Sequence, residues 1–159
     1  MKVFPNGNIL PDLILHIIVH NCGTLMPLEL FRQTGGYDVS LQCGYDYKLA
    51  LELAVRTNLH AIEKPVFLRR RHSTNLSSTN YEKMSLILKI LNEFLEKHPD
   101  VRGKYDAVIR KRFAALHGKL AREAKKESLP RITVRRHLKT ALHEAFSLKS
   151  LYRYLTSFL

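Results

Sequence analysis

The chain has 159 residues, of which 45% are hydrophobic and 25% charged, with a formal net charge of +12. Those values describe a folded chain large enough to bury a core, as one domain or a domain with a tail, and exclude intrinsic disorder. Two cysteines, Cys22 and Cys43, stand without any Cys-x-x-Cys or Cys/His spacing, which excludes a disulfide scaffold and a zinc cluster and reads as two reduced, buried thiols.

Near the N-terminus Leu13 to Val19 is apolar, but Pro11, Asp12 and His16 interrupt the run and a single Lys2 precedes it. It therefore reads as neither a targeting signal nor a membrane span. Ile9, Leu10, Leu13, Ile14, Ile17 and Ile18 instead share one stripe of a 3.6-residue period, which predicts an amphipathic helix with Asn8 as its cap. Gly23 to Met26 reads as a strand. Leu28 to Thr34 reads as a short helix that Gly35 ends in the left-handed conformation. Tyr45 to Arg56 is a helix apolar on most sides with Asp46 in its first turn. After a turn at Thr57-Asn58, Leu59 to Glu63 and Pro65 to Arg70 read as short extended segments, followed by Arg71, His72 and a polar loop from Ser73 to Thr79.

The second half changes character. Residues 1–79 carry 8 Lys and Arg against 6 Asp and Glu, whereas residues 80–159 carry 18 against 8. Thr79-x-x-Glu82 reads as a capping box, and Met84, Ile87, Leu88, Leu91, Phe94 and Leu95 form a helical stripe ending at His98-Pro99. A second stripe runs from Tyr105 to Leu120, weakened by Gly103 and Gly118, and a third from about Leu129 to Ala145. A last helix, capped by Ser147, carries Leu148, Leu151, Tyr152, Leu155 and Phe158. Each stripe needs a partner, which predicts antiparallel helical hairpins.

In order along the chain stand Gly35, Gly36, Tyr37 and Asp38, then Asp46, Tyr47 and Leu49, then Pro65, Arg70, His72, Asn75 and Ser77. This order and spacing resemble the C-terminal half of the catalytic domain of family-2, inverting, GT-A-type glycosyltransferases, with Tyr45 standing where that family carries a Glu. The resemblance covers about residues 5 to 79. It implies an incomplete α/β unit with few short strands, residues 1–79, joined to an all-α basic extension, residues 80–159, the whole mostly helical. It also implies Asp46 as the general base on an acceptor hydroxyl, Arg70 and Arg71 as a clamp on the leaving diphosphate, and His72 as a ligand of Mn or Mg or a donor to phosphate. From spacing alone an acid placed as Asp46 is most often a cap or dipole partner, Asp38 is mainly a turn or cap residue, and Arg70 and Arg71 are equally a polar strand edge. The Asp-x-Asp motif and nucleotide-binding half of such enzymes have no counterpart here. The expected protein is thus a fragment, inactive by itself, whose complete enzyme takes a nucleotide-sugar donor and a glycan or lipid-linked acceptor in the cytoplasm, with peripheral contact to an anionic membrane.

The alternative is a basic helical module that binds nucleic acid or a membrane surface, suggested by Arg110-Lys111-Arg112 and Arg135-Arg136-His137. No sequence-specific nucleic-acid partner is expected.

Overall fold

The computed structural model describes residues 5–19, 21–62, 64–66, 68 and 80–157, and the chain divides into two compact units, Met1–Ser78 and Thr79–Leu159.

In the first unit α1 (Leu10–Leu15) packs against α3 (Tyr45–Arg56), with the short α2 (Leu28–Gln33) between them in sequence. The core is small and lies between α1 and α3: Ile9, Leu10, Leu13 and Ile14 from one side, Tyr47, Leu49, Leu51 and Leu53 from the other. The α1 stripe is read too long by the sequence pattern. His16 already has extended dihedrals, and Ile17 and Ile18 lie beyond the helix. Asn8 is not its cap in the helical sense; its Oδ1 accepts the Leu10 N–H from two residues away at 3.2 Å, and Ile9 holds the cap position.

The expected α/β class is overturned. Among the described residues 68% are helical and 1% strand, with no sheet. Gly23–Met26 is no strand, and residues Asn21–Gly23 form a single 3-10 turn. From the Leu59 to Glu63 segment one isolated antiparallel bridge survives, in which Gly7 and Leu59 exchange both backbone bonds at 2.8 and 2.9 Å. The next rung is made by a side chain, the Asn6 Oδ1 accepting the Ala61 N–H at 2.6 Å. The physical reason is that extended backbone becomes a strand only when a neighbour satisfies its N–H and C=O groups. Among the described residues that pairing goes no further and no neighbour runs beside the other segments, whose apolar side chains stay in solvent, with Leu25 96%, Val66 60% and Leu68 99% exposed. Cys22 is exposed and Cys43 half-buried, so the expectation of two buried thiols also fails.

The second unit is helical throughout its described residues: α4 (Tyr81–Lys97), α5 (Pro99–Lys104), α6 (Asp106–Lys126), α7 (Arg131–Glu144) and α8 (Leu148–Thr156). Asn80, not Thr79, caps α4, its side chain accepting the Lys83 N–H at 2.9 Å. The short α5 is an element the apolar stripes do not announce; Pro99 starts it and Tyr105 separates it from α6. α6 and α7 form an antiparallel hairpin, and α4 and α8 pack on its two members, α4 on α6 and α8 on α7. Ile90, Leu91, Leu95, Ile109, Leu116 and Leu120 are fully buried there.

The turn of this hairpin follows the Schellman pattern. Leu129 N–H reaches the Ala124 carbonyl at 2.9 Å and Ser128 N–H the Lys125 carbonyl at 3.3 Å, which requires Ser128 to sit at φ 55°. A serine there carries a Cβ penalty that glycine escapes. Ser128→Gly is therefore expected to raise stability by about 1 kcal/mol, read as a higher urea midpoint with unchanged slope. A lower midpoint would mean that the serine side chain contributes more than its strained backbone costs.

Candidate functional site

The segment from α2 to α3 is built by local rules. α2 ends in a second Schellman pair, Gly36 N–H to the Phe31 carbonyl and Gly35 N–H to the Arg32 carbonyl, both at 3.0 Å, with φ 86° at Gly35 and 69° at Gly36. A Cβ on Gly36 would stand 3.1 Å from the Phe31 ring, so that glycine is needed for its dihedral and for its lack of a side chain. The chain reversal sets the Tyr37 ring edge-on against Phe31 at 5.3 Å and against Tyr45 at 5.7 Å. The Tyr37 hydroxyl donates to Asn21 Oδ1 at 3.2 Å. Tyr45 thus closes a row of three aromatic rings at the entry of α3.

Asp46 is the next residue, half-buried in the first turn of α3. Its Oδ1 accepts the Tyr47 N–H at 2.9 Å, covering one of the amides that a helix start leaves without an internal partner. Oδ2 has no partner among the described residues. The two other carboxylates on or beside α3 are engaged in ion pairs. Asp38 accepts from Lys48 Nζ at 2.6 Å and from the Ser40 N–H and hydroxyl at 3.0 and 2.6 Å. Those hydrogen bonds, the Lys48 one first, hold its carboxyl down at about 2. Asp38 is therefore a turn residue, and what it contributes to stability is lost as the pH falls from the ordinary 3.8 through about 2. Glu52 is buried and paired with Arg56 at 2.6 Å. Asp46 alone of these three keeps an oxygen open for a proton.

Arg70, Arg71 and His72, with Asn75 and Ser77, lie outside the described residues. The metal expectation, which rests on His72, lies outside them too. Among the described residues no group of three His, Cys, Asp or Glu side chains is placed to hold a metal ion.

The basic clusters of the second unit are largely occupied by the fold. Arg110 donates to the carbonyls of His143 and Glu144 at 3.0 and 3.1 Å, tying the start of α6 to the end of α7. Arg112 is buried, and Arg135 donates to the Ser157 carbonyl at 3.2 Å. His137 is buried in a relay that the sequence did not announce: its Nε2 meets the Tyr81 hydroxyl and its Nδ1 meets His117 Nδ1, each at 2.9 Å. One of the two imidazoles must accept in the contact between them, so both cannot be protonated there.

Burial first, and the neighbouring His137 second, push His117 from the ordinary 6.5 down to about 4. Burial first and Arg136 second also push His137 down. The folded protein thus binds fewer protons than the unfolded chain between these values, and stability falls as the pH drops from 6.5 toward 4. For a ring partly open to solvent the loss is about 1–2 kcal/mol. The urea midpoint should decrease over that window in the native protein, and His117→Phe should flatten this part of the decrease; an equal decrease in both would contradict the assignment.

No family model, curated protein or solved structure matches this chain.

Proposed function

We propose that the first unit is the acceptor-side part of a sugar transferase, with Asp46 as the general base that takes the proton from an acceptor hydroxyl. The observation that supports this reading is the pairing pattern at α3: Asp38 and Glu52 are held by cations, whereas Asp46 is half-buried with one oxygen open beside an aromatic row. An inverting transfer needs such a carboxylate in reach of the attacking oxygen, because the hydroxyl becomes a competent nucleophile only as its proton leaves. Aromatic rings suit the apolar faces of a sugar ring and set its orientation before attack. The motif order from Gly35 to Ser77 adds the family resemblance. On this reading the remaining nucleotide and metal contacts come from a nucleotide-binding half, so donor binding and transfer require that half.

The test is transfer itself. With a nucleotide-binding half fused ahead of residue 1, nucleoside diphosphate should be released from a nucleotide sugar only when an acceptor is present, and Asp46→Asn should end that release. Release that ignores both acceptor and Asp46 would contradict the reading.

A second reading, contact with a membrane surface, is favoured by α8. Among the described residues no helix is long and apolar enough to cross a membrane. Yet Leu148, Tyr152 and Leu155, at positions i, i+4 and i+7, are 78%, 69% and 57% exposed on one face of a basic helix. That combination suits a peripheral helix on anionic lipid, and the two readings are compatible.

A further inference from the structure

The second unit contains a pocket of about 560 Å³ where α6, α7 and α8 meet, a size within the range of small-molecule sites. Its wall is made by Val134 and Leu138 of α7, and Arg122, Lys125, Arg131 and Arg153 surround it from all three helices. No carboxylate lines it, and none of these four cations has an ion-pair partner among the described residues. The bond from Arg135 to the Ser157 carbonyl holds the end of α8 against α7 and so keeps the third wall in place.

Two features distinguish this arrangement from a solvated basic face. α7 begins at the pocket with no side-chain cap and no acidic residue in its first turn, so the positive end of a 14-residue helix adds to the four cations. Gly118 lies in the middle of α6 and lines the pocket, and a Cβ built there would meet nothing within 4 Å. A glycine in a helix interior costs about 1 kcal/mol relative to alanine. No contact within the protein calls for it, and the space above it is part of the pocket.

We propose that this pocket binds an amphipathic phosphate ester, with the phosphate held by Arg122, Lys125, Arg131 and Arg153 and the apolar part lying over Gly118 against Val134 and Leu138. Guanidinium forks match phosphate oxygens in pairs, which accounts for three arginines among the four cations. The apolar wall accounts for an ester rather than a bare anion, since inorganic phosphate would leave Val134 and Leu138 without a partner. The proposal uses no residue of the first unit and stands apart from the role of Asp46.

Octyl phosphate below its micellar concentration, inorganic phosphate and vesicles containing phosphatidic acid are the probes, at physiological salt. Octyl phosphate should bind roughly tenfold tighter than inorganic phosphate, as the burial of about two methylenes gives. The double change Arg122→Gln with Arg131→Gln should weaken octyl phosphate by about tenfold or more. Lys139→Gln with Lys149→Gln removes the same charge outside the pocket and should leave it nearly unchanged. Gly118→Leu keeps every charge and favours the helix, and should abolish the preference for the octyl ester by filling its space. Vesicle binding lost in the arginine pair identifies a lipid as the source of the phosphate, and vesicle binding that ignores the pair identifies a soluble ester. Equal weakening by both double changes, or equal affinity for octyl and inorganic phosphate, would overturn the proposal.

Discussion

Asp46→Asn is expected to lower turnover by roughly 10²–10⁴-fold in an assembled, transferring enzyme while leaving donor affinity unchanged. A general base acts on the acceptor oxygen only as that oxygen attacks, so its removal would cost transition-state stabilisation and not donor binding. Asparagine keeps the size of the side chain and its Oδ1, so the bond to the Tyr47 N–H at 2.9 Å can persist and the start of α3 should hold. What asparagine cannot do is take a proton. A variant that unfolded or lost donor affinity would show that Asp46 is a cap residue, which is the commoner role of an acid at a helix start. Asp38→Asn is the control. It loses the ion pair with Lys48 and shifts stability at neutral pH, but should leave the rate per folded molecule near the native value.

The largest stability effect is expected in the second unit. Leu116 is completely buried in α6, so Leu116→Ala removes three heavy atoms from a close-packed interior and leaves a cavity behind. Such changes cost about 2–5 kcal/mol, a large share of the roughly 5–15 kcal/mol that holds a domain together. Urea unfolding followed by helical circular dichroism should show the midpoint of this unit falling steeply. Leu148→Ala deletes the same atoms from a side chain that is 78% exposed, and should change the midpoint by less than about 0.5 kcal/mol. Equal effects would mean that the exposed face of α8 is covered in solution by a second copy of the chain.

How much of this was legible depended on whether the signal was local. Tyr45–Arg56 was readable to its ends, because an acid in the first turn, an apolar run and the Thr57-Asn58 turn are all local signals. Gly35 and Gly36 announced the end of α2 for the same reason, since positive φ is a property of single residues. Ser147 announced the start of α8, where its hydroxyl accepts the Ser150 N–H at 3.1 Å. The strands failed because extended patterning states only what a segment would do beside a partner. Leu25, Val66 and Leu68 carry a strand-like composition, and the ladder they would need is absent among the described residues.

The site shows the same division. Asp46 could be placed in a first turn from sequence, but the availability of its second oxygen could not, because that depends on Lys48 and Arg56 choosing Asp38 and Glu52. The His117–His137 contact joins residues twenty positions apart, and only the hairpin turn at 127–130 makes them neighbours. Its one sequence signal is that the two histidines lie symmetrically about Glu127. The pocket cations are scattered over three helices and form no run, whereas the visible runs at 110–112 and 135–137 are drawn into carbonyl contacts and burial.

The measurement closest to the central claim is a titration of the ¹⁵N-labelled chain with mono- and disaccharides, followed by amide chemical shifts. An acceptor site at the entry of α3 should show itself as saturable shifts confined to the amides around Tyr37, Tyr45, Asp46 and Tyr47, with millimolar affinity, for some sugars and not others. Tyr37→Ala should remove those shifts and Asp46→Asn should retain them. Shifts that never saturate, that scatter over both units, or that survive Tyr37→Ala would contradict an acceptor site at this place.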